Sequence, residues 1–134
     1  MRAVLDVNVL ISSLLAPEGR PAILVRRWLA GDFELVASER LLTELARALS
    51  YPKLRMRVPD RAAMEFVDLL RSAARMSPDR RNPPRRSRDS GDDYLIALAE
   101  DTASILVTGD QDLLDIRPNR PILAPAAFLA KLQG

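Results

Sequence analysis

At 134 residues the chain is sized for one domain, 1–134, with a real hydrophobic core, and 48% hydrophobic against 28% charged residues is ordinary for a globular protein. It has neither cysteine nor histidine, which excludes disulfides, thiolate zinc sites, cysteine nucleophiles and the serine–histidine triad. The formal charge is only +2, and nearly all the basic residues are arginines, so any chemistry must run on carboxylates, hydroxyls, arginines or a metal held by oxygen ligands.

The chain begins with an apolar strand over 2–7, followed by a short helix over 8–15 that ends before Pro17. Pro21 suits the first turn of an amphipathic helix running to Ala30 and closed by Gly31. Phe33 to Val36 reads as a second strand. Ser38 caps a helix through Leu49, with Leu41, Leu42, Leu45 and Leu49 as its apolar stripe, stopped by Tyr51-Pro52. A basic connector spans 53–59, Asp60 caps a helix over 61–73, and 74–77 is a short strand. From Pro78 to Ser90 the composition shifts to Arg, Pro and Asp, a loop. Ser90 then caps a helix over 91–101 in a Ser-Gly-Asp-Asp opening like a capping box. Ser104 to Val107 is a strand ending at Thr108-Gly109-Asp110, and a strand near Ile122-Leu123 and a helix over 125–132 complete the chain. Alternating strands and helices predict an α/β fold with a parallel sheet whose C-terminal edge gathers the loops. No apolar run reaches about 18 residues and no charged-then-apolar leader opens the chain, so a cytoplasmic protein without membrane contact is expected.

The acids matter at that edge. Asp6 ends the first strand, and a carboxylate in an apolar run is costly to bury unless something positive meets it. With two lysines, Lys53 and Lys131, and no histidine, a bound cation is the candidate. Asn8 projects alongside Asp6. Glu44 lies near the border of its helix's leucine stripe, where it either points into a cleft or is plain solvated surface. Asp92 and Asp93 open a helix, where the macrodipole favours each acid by about 0.3–1 kcal/mol, but only one is needed for that. Asp110 and Asp112 follow the Ile-Leu-Val strand, with Thr108 offering a hydroxyl and Gly109 a sharp turn. An aspartate-rich turn is the plain alternative. Acids crowded together repel without a counter-ion, and hard Mg²⁺ or Mn²⁺ answers that while activating water and stabilising a phosphodiester transition state.

Val4-Leu5-Asp6-Val7-Asn8-Val9-Leu10-Ile11, Glu44 within Ser-Glu-Arg-Leu-Leu-Thr-Glu-Leu, Asp93-Tyr94-Leu95-Ile96-Ala97 and Leu106-Val107-Thr108-Gly109-Asp110-Gln111-Asp112-Leu113 together resemble the PIN-domain nucleases. The likeness is to the small bacterial, VapC-like PIN toxins of toxin–antitoxin pairs, and it spans nearly the whole chain in the family's order. It implies an α/β/α sandwich with a central, mainly parallel sheet, whose acids bind Mg²⁺ or Mn²⁺ and hydrolyse single-stranded RNA. By that resemblance Asp6 is the first metal ligand and Glu44 the second acid. Asp93 is the third, by its Asp-x-Leu-Ile-Ala register, with Asp92 as its substitute. Asp110 is the fourth, with Asp112 a nearby acid, while Asn8 and Thr108 are supporting polar residues. It also implies a homodimer or higher homo-oligomer, silenced by a cognate antitoxin.

The stretch from Asp79 to Asp89 departs from that pattern in being long and basic, with Pro83-Pro84 and Arg80, Arg81, Arg85, Arg86 and Arg88. It reads as a grip on RNA phosphates, an antitoxin contact or a solvated loop. No aromatic residue interleaves with it, so it offers no base-stacking platform. A phosphotransfer or receiver-type site fits less well, because neither Lys53 nor Lys131 stands near a later strand and Asn8 replaces the second aspartate of a dehalogenase-type phosphatase. The remaining rival is a catalytically degenerate PIN fold that binds RNA or protein.

Overall fold

Strands and helices alternate along the residues described, 1–116 and 121–134 of the computed structural model. They are β1 (Arg2–Leu5), α1 (Val7–Leu15), α2 (Arg20–Leu29), β2 (Glu34–Ala37), α3 (Glu39–Leu49), α4 (Pro52–Arg55), α5 (Asp60–Ala73) and β3 (Arg75–Met76). A single 3-10 turn (Ser90–Asp92) leads into α6 (Asp93–Asp101), followed by β4 (Ile105–Val107), α7 (Gln111–Leu114), β5 (Ile122–Leu123) and α8 (Pro125–Gln133).

All four strand pairings are parallel, in the order β3-β2-β1-β4-β5. The predicted α/β fold with a parallel sheet is therefore the one the chain adopts. Residues Ala3, Val4 and Leu5 of β1 are wholly buried, as a strand must be when helices cover both sheet faces. Parallel strands connect almost always by right-handed crossovers, a rule that with this strand order puts α1 to α5 on one face and α6 on the other. Helix α1 packs on α2 and α3, α3 on α5, and α6 on β1 and β4. Helix α8 returns to α2, and Phe128 meets Phe33 edge to face with ring centroids 5.1 Å apart.

The order reverses at β1. The chain steps outward from it through β2 to β3, then crosses back to place β4 on its other side. Open α/β sheets gather their ligands at such a switch point, beyond the carboxyl ends of the two central strands. In-register pairing of Leu5 with Val107 brings the residues that follow them, Asp6 and Thr108, side by side.

Several boundaries differ from the sequence reading for local reasons. Strand β1 stops at Leu5 because Asp6 caps α1, its Oδ1 accepting from the Val9 N–H at 2.9 Å. Asp60 lies inside α5, which starts after Pro59 without a side-chain cap. The basic connector contains the single turn α4, opened by Pro52. The turn after Asp110 winds into α7, with Asp110 as cap. The side chain of Ser90, expected to cap the next helix, lies outside the described residues, and that helix proper starts two residues later than expected, at Asp93. No helix among the described residues is long and apolar enough to cross a membrane.

Phe128 joins α8 to the core and is wholly buried. Phe128→Ala should cost about 3–5 kcal/mol of stability, read as a lower urea midpoint with an unchanged slope.

Candidate functional site

Asp6 forms the floor of the site. It is 4% exposed, its N–H donates to the Val107 carbonyl at 3.1 Å, and the two oxygens of its side chain are separately held. Oδ1 takes the Val9 N–H, and Oδ2 accepts a short hydrogen bond from the Thr108 hydroxyl. Thr108 Oγ1 in turn accepts from the Asp110 N–H at 3.0 Å, so one buried threonine links the ends of both central strands. Burial raises the Asp6 pKa, with the nearby Asp110 charge adding to it, and the bonds from Thr108 and the α1 N–H groups only partly oppose this. Asp110 caps α7 by accepting from the Asp112 N–H at 2.9 Å.

Glu44 arrives from α3, on the rim of the Leu41, Leu45 and Leu49 face that anchors that helix in the core. Its Oε2 accepts from the Tyr94 hydroxyl at 3.1 Å and its Oε1 from Arg40 Nε at 3.4 Å. The Arg40 guanidinium lies over the Tyr94 ring, 4.2 Å from its centroid. Burial, followed by the Glu44 charge, raises the Tyr94 pKa, which keeps the phenol a proton donor.

The two neighbouring aspartates part company. Asp92 faces the cleft and its pKa is pushed up to about 6, first by burial and then by Asp89, Asp110, Asp6 and Glu44. Asp93, the third acid expected from the sequence register, lines no part of the cleft and is 3% exposed. Its Oδ1 accepts from the Arg86 N–H at 3.0 Å, the Ser87 N–H at 2.8 Å and the Ser87 hydroxyl at 2.7 Å. Burial alone would raise its pKa, but these bonds and the Arg85 charge outweigh it and hold the carboxyl below the usual range. Asp93 therefore anchors the preceding loop, and its substitute Asp92 stands with the other acids. The physical reason is the 3-10 turn, which sends adjacent side chains in different directions just before α6 begins.

These side chains surround a cleft of about 410 Å³ lined by Asp6, Asn8, Glu44, Asp89, Asp92 and Asp110, with Arg47 and Tyr51 beside them. Exposed Asn8 thus stands where it was expected, beside Asp6. Asp112 is not in the lining and instead lies 3.7 Å from Arg88 in an exposed ion pair. Asp89, Arg47 and Tyr51 escaped the sequence reading. Arg47 and Tyr51 carried a signal, standing three and seven residues after Glu44, whereas Asp89 sits in an aperiodic loop.

Most of the basic loop is tied back to the protein. Arg80 pairs with Asp101, Arg86 with Glu100, and Arg85 donates to the carbonyls of Ser87 and Arg88 at 3.1 Å. Arg81 has no ionic partner among the described residues. Arg80, Arg85, Arg86 and Arg88 thus hold the loop's own shape before they hold any ligand.

Among the described residues, no group of three or more acids is already arranged to grip a metal ion. The donor set nevertheless suits one. Among the described residues, five carboxylates line one cleft with Arg47 as its single cation, and oxygen donors without nitrogen or sulfur favour a hard divalent ion. Burial raises the Asp92 pKa first, and the neighbouring acids Asp89, Asp110, Asp6 and Glu44 add to it.

A PIN domain family model matches residues 2–112. The chain belongs to the PIN domain family. Members are usually nucleases and generally depend on a divalent metal. The uncharacterized protein MJ1680 of Methanocaldococcus jannaschii is 25% identical over 123 residues, covering 92% of this chain and 79% of that protein. The crystal structure of PAE2754 from Pyrobaculum aerophilum is similar with a TM-score of 0.65 at 21% identity, over 99% of this PIN domain and 90% of that chain. VapBC2 from Rickettsia felis, bound to a DNA fragment from its promoter, gives a TM-score of 0.66 at 15% identity, over 91% and 97% of the two chains. FitAcB from Neisseria gonorrhoeae gives 0.62 at 18%, over 92% and 98%. At these identities the likeness is one of fold.

The split between the two aspartates is testable. Asp93→Asn should lower stability by about 1–3 kcal/mol, since buried N–H donors lose their acceptor charge. Asp92→Asn should leave the melting temperature unchanged or higher, because it relieves repulsion. Equal losses in thermal melts of the two variants would contradict this assignment.

Proposed function

We propose that this PIN domain is a metal-dependent endoribonuclease that cleaves single-stranded RNA, and that it is the toxin of a toxin–antitoxin pair. The observation that carries the reading is the convergence of Asp6, Glu44, Asp92 and Asp110 on one cleft at the switch point of the sheet. Asp6, Asp92 and Asp110 would hold Mg²⁺ or Mn²⁺, with Glu44 at the rim. Asp93, favoured by the sequence register, supports the site from behind by fixing the loop that carries Asp89.

Bound metal would supply an acidified water and charge neutralisation at the phosphoryl oxygens. The protein's own part is preorganisation. Thr108 and the Val9 N–H fix both oxygens of the Asp6 side chain, so it need not reorganise when the scissile phosphate approaches. Tyr94 and Arg40 keep Glu44 pointing at the cleft while neutralising part of its charge. Asp92 holds a proton for part of the time near neutral pH in the cation-free site, and that proton must leave for all four acids to act as donors.

The toxin reading is supported by the sequence resemblance to VapC-like proteins and by the shared fold with VapBC2, solved on its promoter DNA, and with FitAB, solved on the IR36 DNA fragment. A cognate antitoxin covering the cleft and a homodimer are the partners this reading supplies. If a small reading frame adjoins the gene, its co-expression with this chain should yield a complex with suppressed activity.

Purified protein should cut unstructured RNA with Mn²⁺ or Mg²⁺ and stop with EDTA. Asp6→Asn should reduce the rate roughly a hundredfold or more, the scale of losing one preorganised charge group. Binding without cleavage in either metal would favour the degenerate binding module instead. The raised Asp92 pKa adds a pH test with a definite sign. Its folded pKa exceeds its unfolded value, so in metal-free protein the contribution of Asp92 to stability is fully present below pH 3.8 and is lost as pH rises through about 6. Mn²⁺ needs the charged form. Its stabilising effect in thermal melts should be large above about pH 6 and fade below it, and Asp92→Asn should flatten that dependence.

A further inference from the structure

Helix α3 carries more than Glu44 to the cleft. Arg47 and Ala48 stand about one turn, roughly 5 Å, further along the same face, and Tyr51 follows beyond the helix end. The three side chains Glu44, Arg47 and Tyr51 all line the cavity.

Arg47 is conspicuous for what it does not do. Arg40, on the same helix, pairs with Glu44, whereas Arg47 has no acidic partner among the described residues although five carboxylates line the same cleft. Its guanidinium is a planar fork suited to a phosphate. The C-terminal dipole of α3 gives it a reason to be basic, but not a reason to border the acids.

Tyr51 is 57% exposed, and its hydroxyl has no polar partner among the described residues. Its backbone is nevertheless fixed. The N–H donates to the Ala48 carbonyl at 3.2 Å, its carbonyl accepts from the Leu54 and Arg55 N–H groups at 2.9 Å, and Pro52 confines it to the extended region. The connector behind it is pinned by Arg57 donating to the Leu15 carbonyl at 3.2 Å and by buried Val58. The result is an aromatic ring standing in solvent on a rigid pedestal at the mouth of an acidic cleft. Aromatic faces in such places bind bases of single-stranded nucleic acid, because every unpaired base has a face to stack.

We infer that Arg47 and Tyr51 form a nucleotide subsite beside the acids, Arg47 taking a phosphate of the single strand and Tyr51 stacking on the neighbouring base. The inference deepens the ribonuclease reading and rests on it for the location of the scissile bond. It explains how a polyanion approaches an acidic cleft: among the described residues, the unpaired Arg47 and the flat face of Tyr51 offset the repulsion at its rim. A duplex would not serve, since its bases are stacked on each other.

The test measures binding of labelled oligouridine by fluorescence anisotropy in the Asp6→Asn background with Mg²⁺, with thermal melts confirming that each variant folds. Tyr51→Ala should weaken binding by roughly tenfold or more, while Tyr51→Phe stays near the parent. On a base-free ribose-phosphate strand of equal length, Tyr51→Ala should have no effect. Arg47→Ala should weaken both strands and reduce the slope of log affinity against log salt by about 0.7. Equal affinity of Tyr51→Ala and Tyr51→Phe for oligouridine, or an unchanged salt slope in Arg47→Ala, overturns the subsite. The outcomes separate the two readings. Wild-type cleavage that neither substitution slows overturns the subsite and leaves the ribonuclease standing. Binding effects as stated, with no cleavage by wild type in either metal, support the subsite and overturn the ribonuclease.

Discussion

The pairing of β1 with β4 at the centre of the sheet is the constraint on which the site depends. Leu5 and Val107 face each other in register, so the chain leaves both strands at the same level and the same edge. Asp6 and Thr108 then meet without any loop having to bring them together, and Asp6 remains bonded through its own N–H to Val107. The sequence separation bridged by that contact is 102 residues, which only the crossover from β3 to β4 can close. Everything else in the cleft is assembled on this floor. Helix α3 brings Glu44 from one side and α6 brings the Asp89–Asp92 turn from the other.

Such a floor is electrostatically tense, and the structure spreads the tension over several devices. Each of Asp6 and Asp110 accepts a helix N-cap bond, Asp6 also takes a hydroxyl, and Glu44 is met by a phenol and a guanidinium. Asp92 receives no such help among the described residues, and burial followed by the neighbouring acids pushes its pKa up to about 6. An acid left in that condition is a poor choice for stability alone. The same field that burdens the cleft is one that a divalent ion would offset.

Much of this was legible in the sequence because the strongest signals were periodic or terminal. The apolar run before Asp6, the leucine stripe of α3 capped by Ser38, and the Ile-Leu-Val strand before Thr108 each follow from burial and capping, and α3 has the bounds read from it. What was not legible turned on side-chain direction over one or two residues. Asp92 and Asp93 are adjacent, and only the 3-10 turn decides which one faces the cleft. Asp89 belongs to a loop with no repeat to read, whose position is set by Asp93 accepting from Arg86 and Ser87. The arginines of that loop suggested a surface for RNA by composition. Their partners Asp101 and Glu100 lie on α6, too far along the chain for spacing to reveal.

Asp6 joins two duties in one side chain, a cap for α1 and the deepest carboxylate of the cleft. Asparagine ranks with aspartate as a helix cap, and the Thr108 hydroxyl can turn to accept where it now donates. A single-base change in the gene that put asparagine at position 6 would therefore keep the cap of α1 and a contact with Thr108. Lineages relieved of the need to cut a substrate could drift through that change while keeping the whole architecture, and with it any surface that recognises a partner. Within this fold, loss of chemistry and loss of shape are separate evolutionary events.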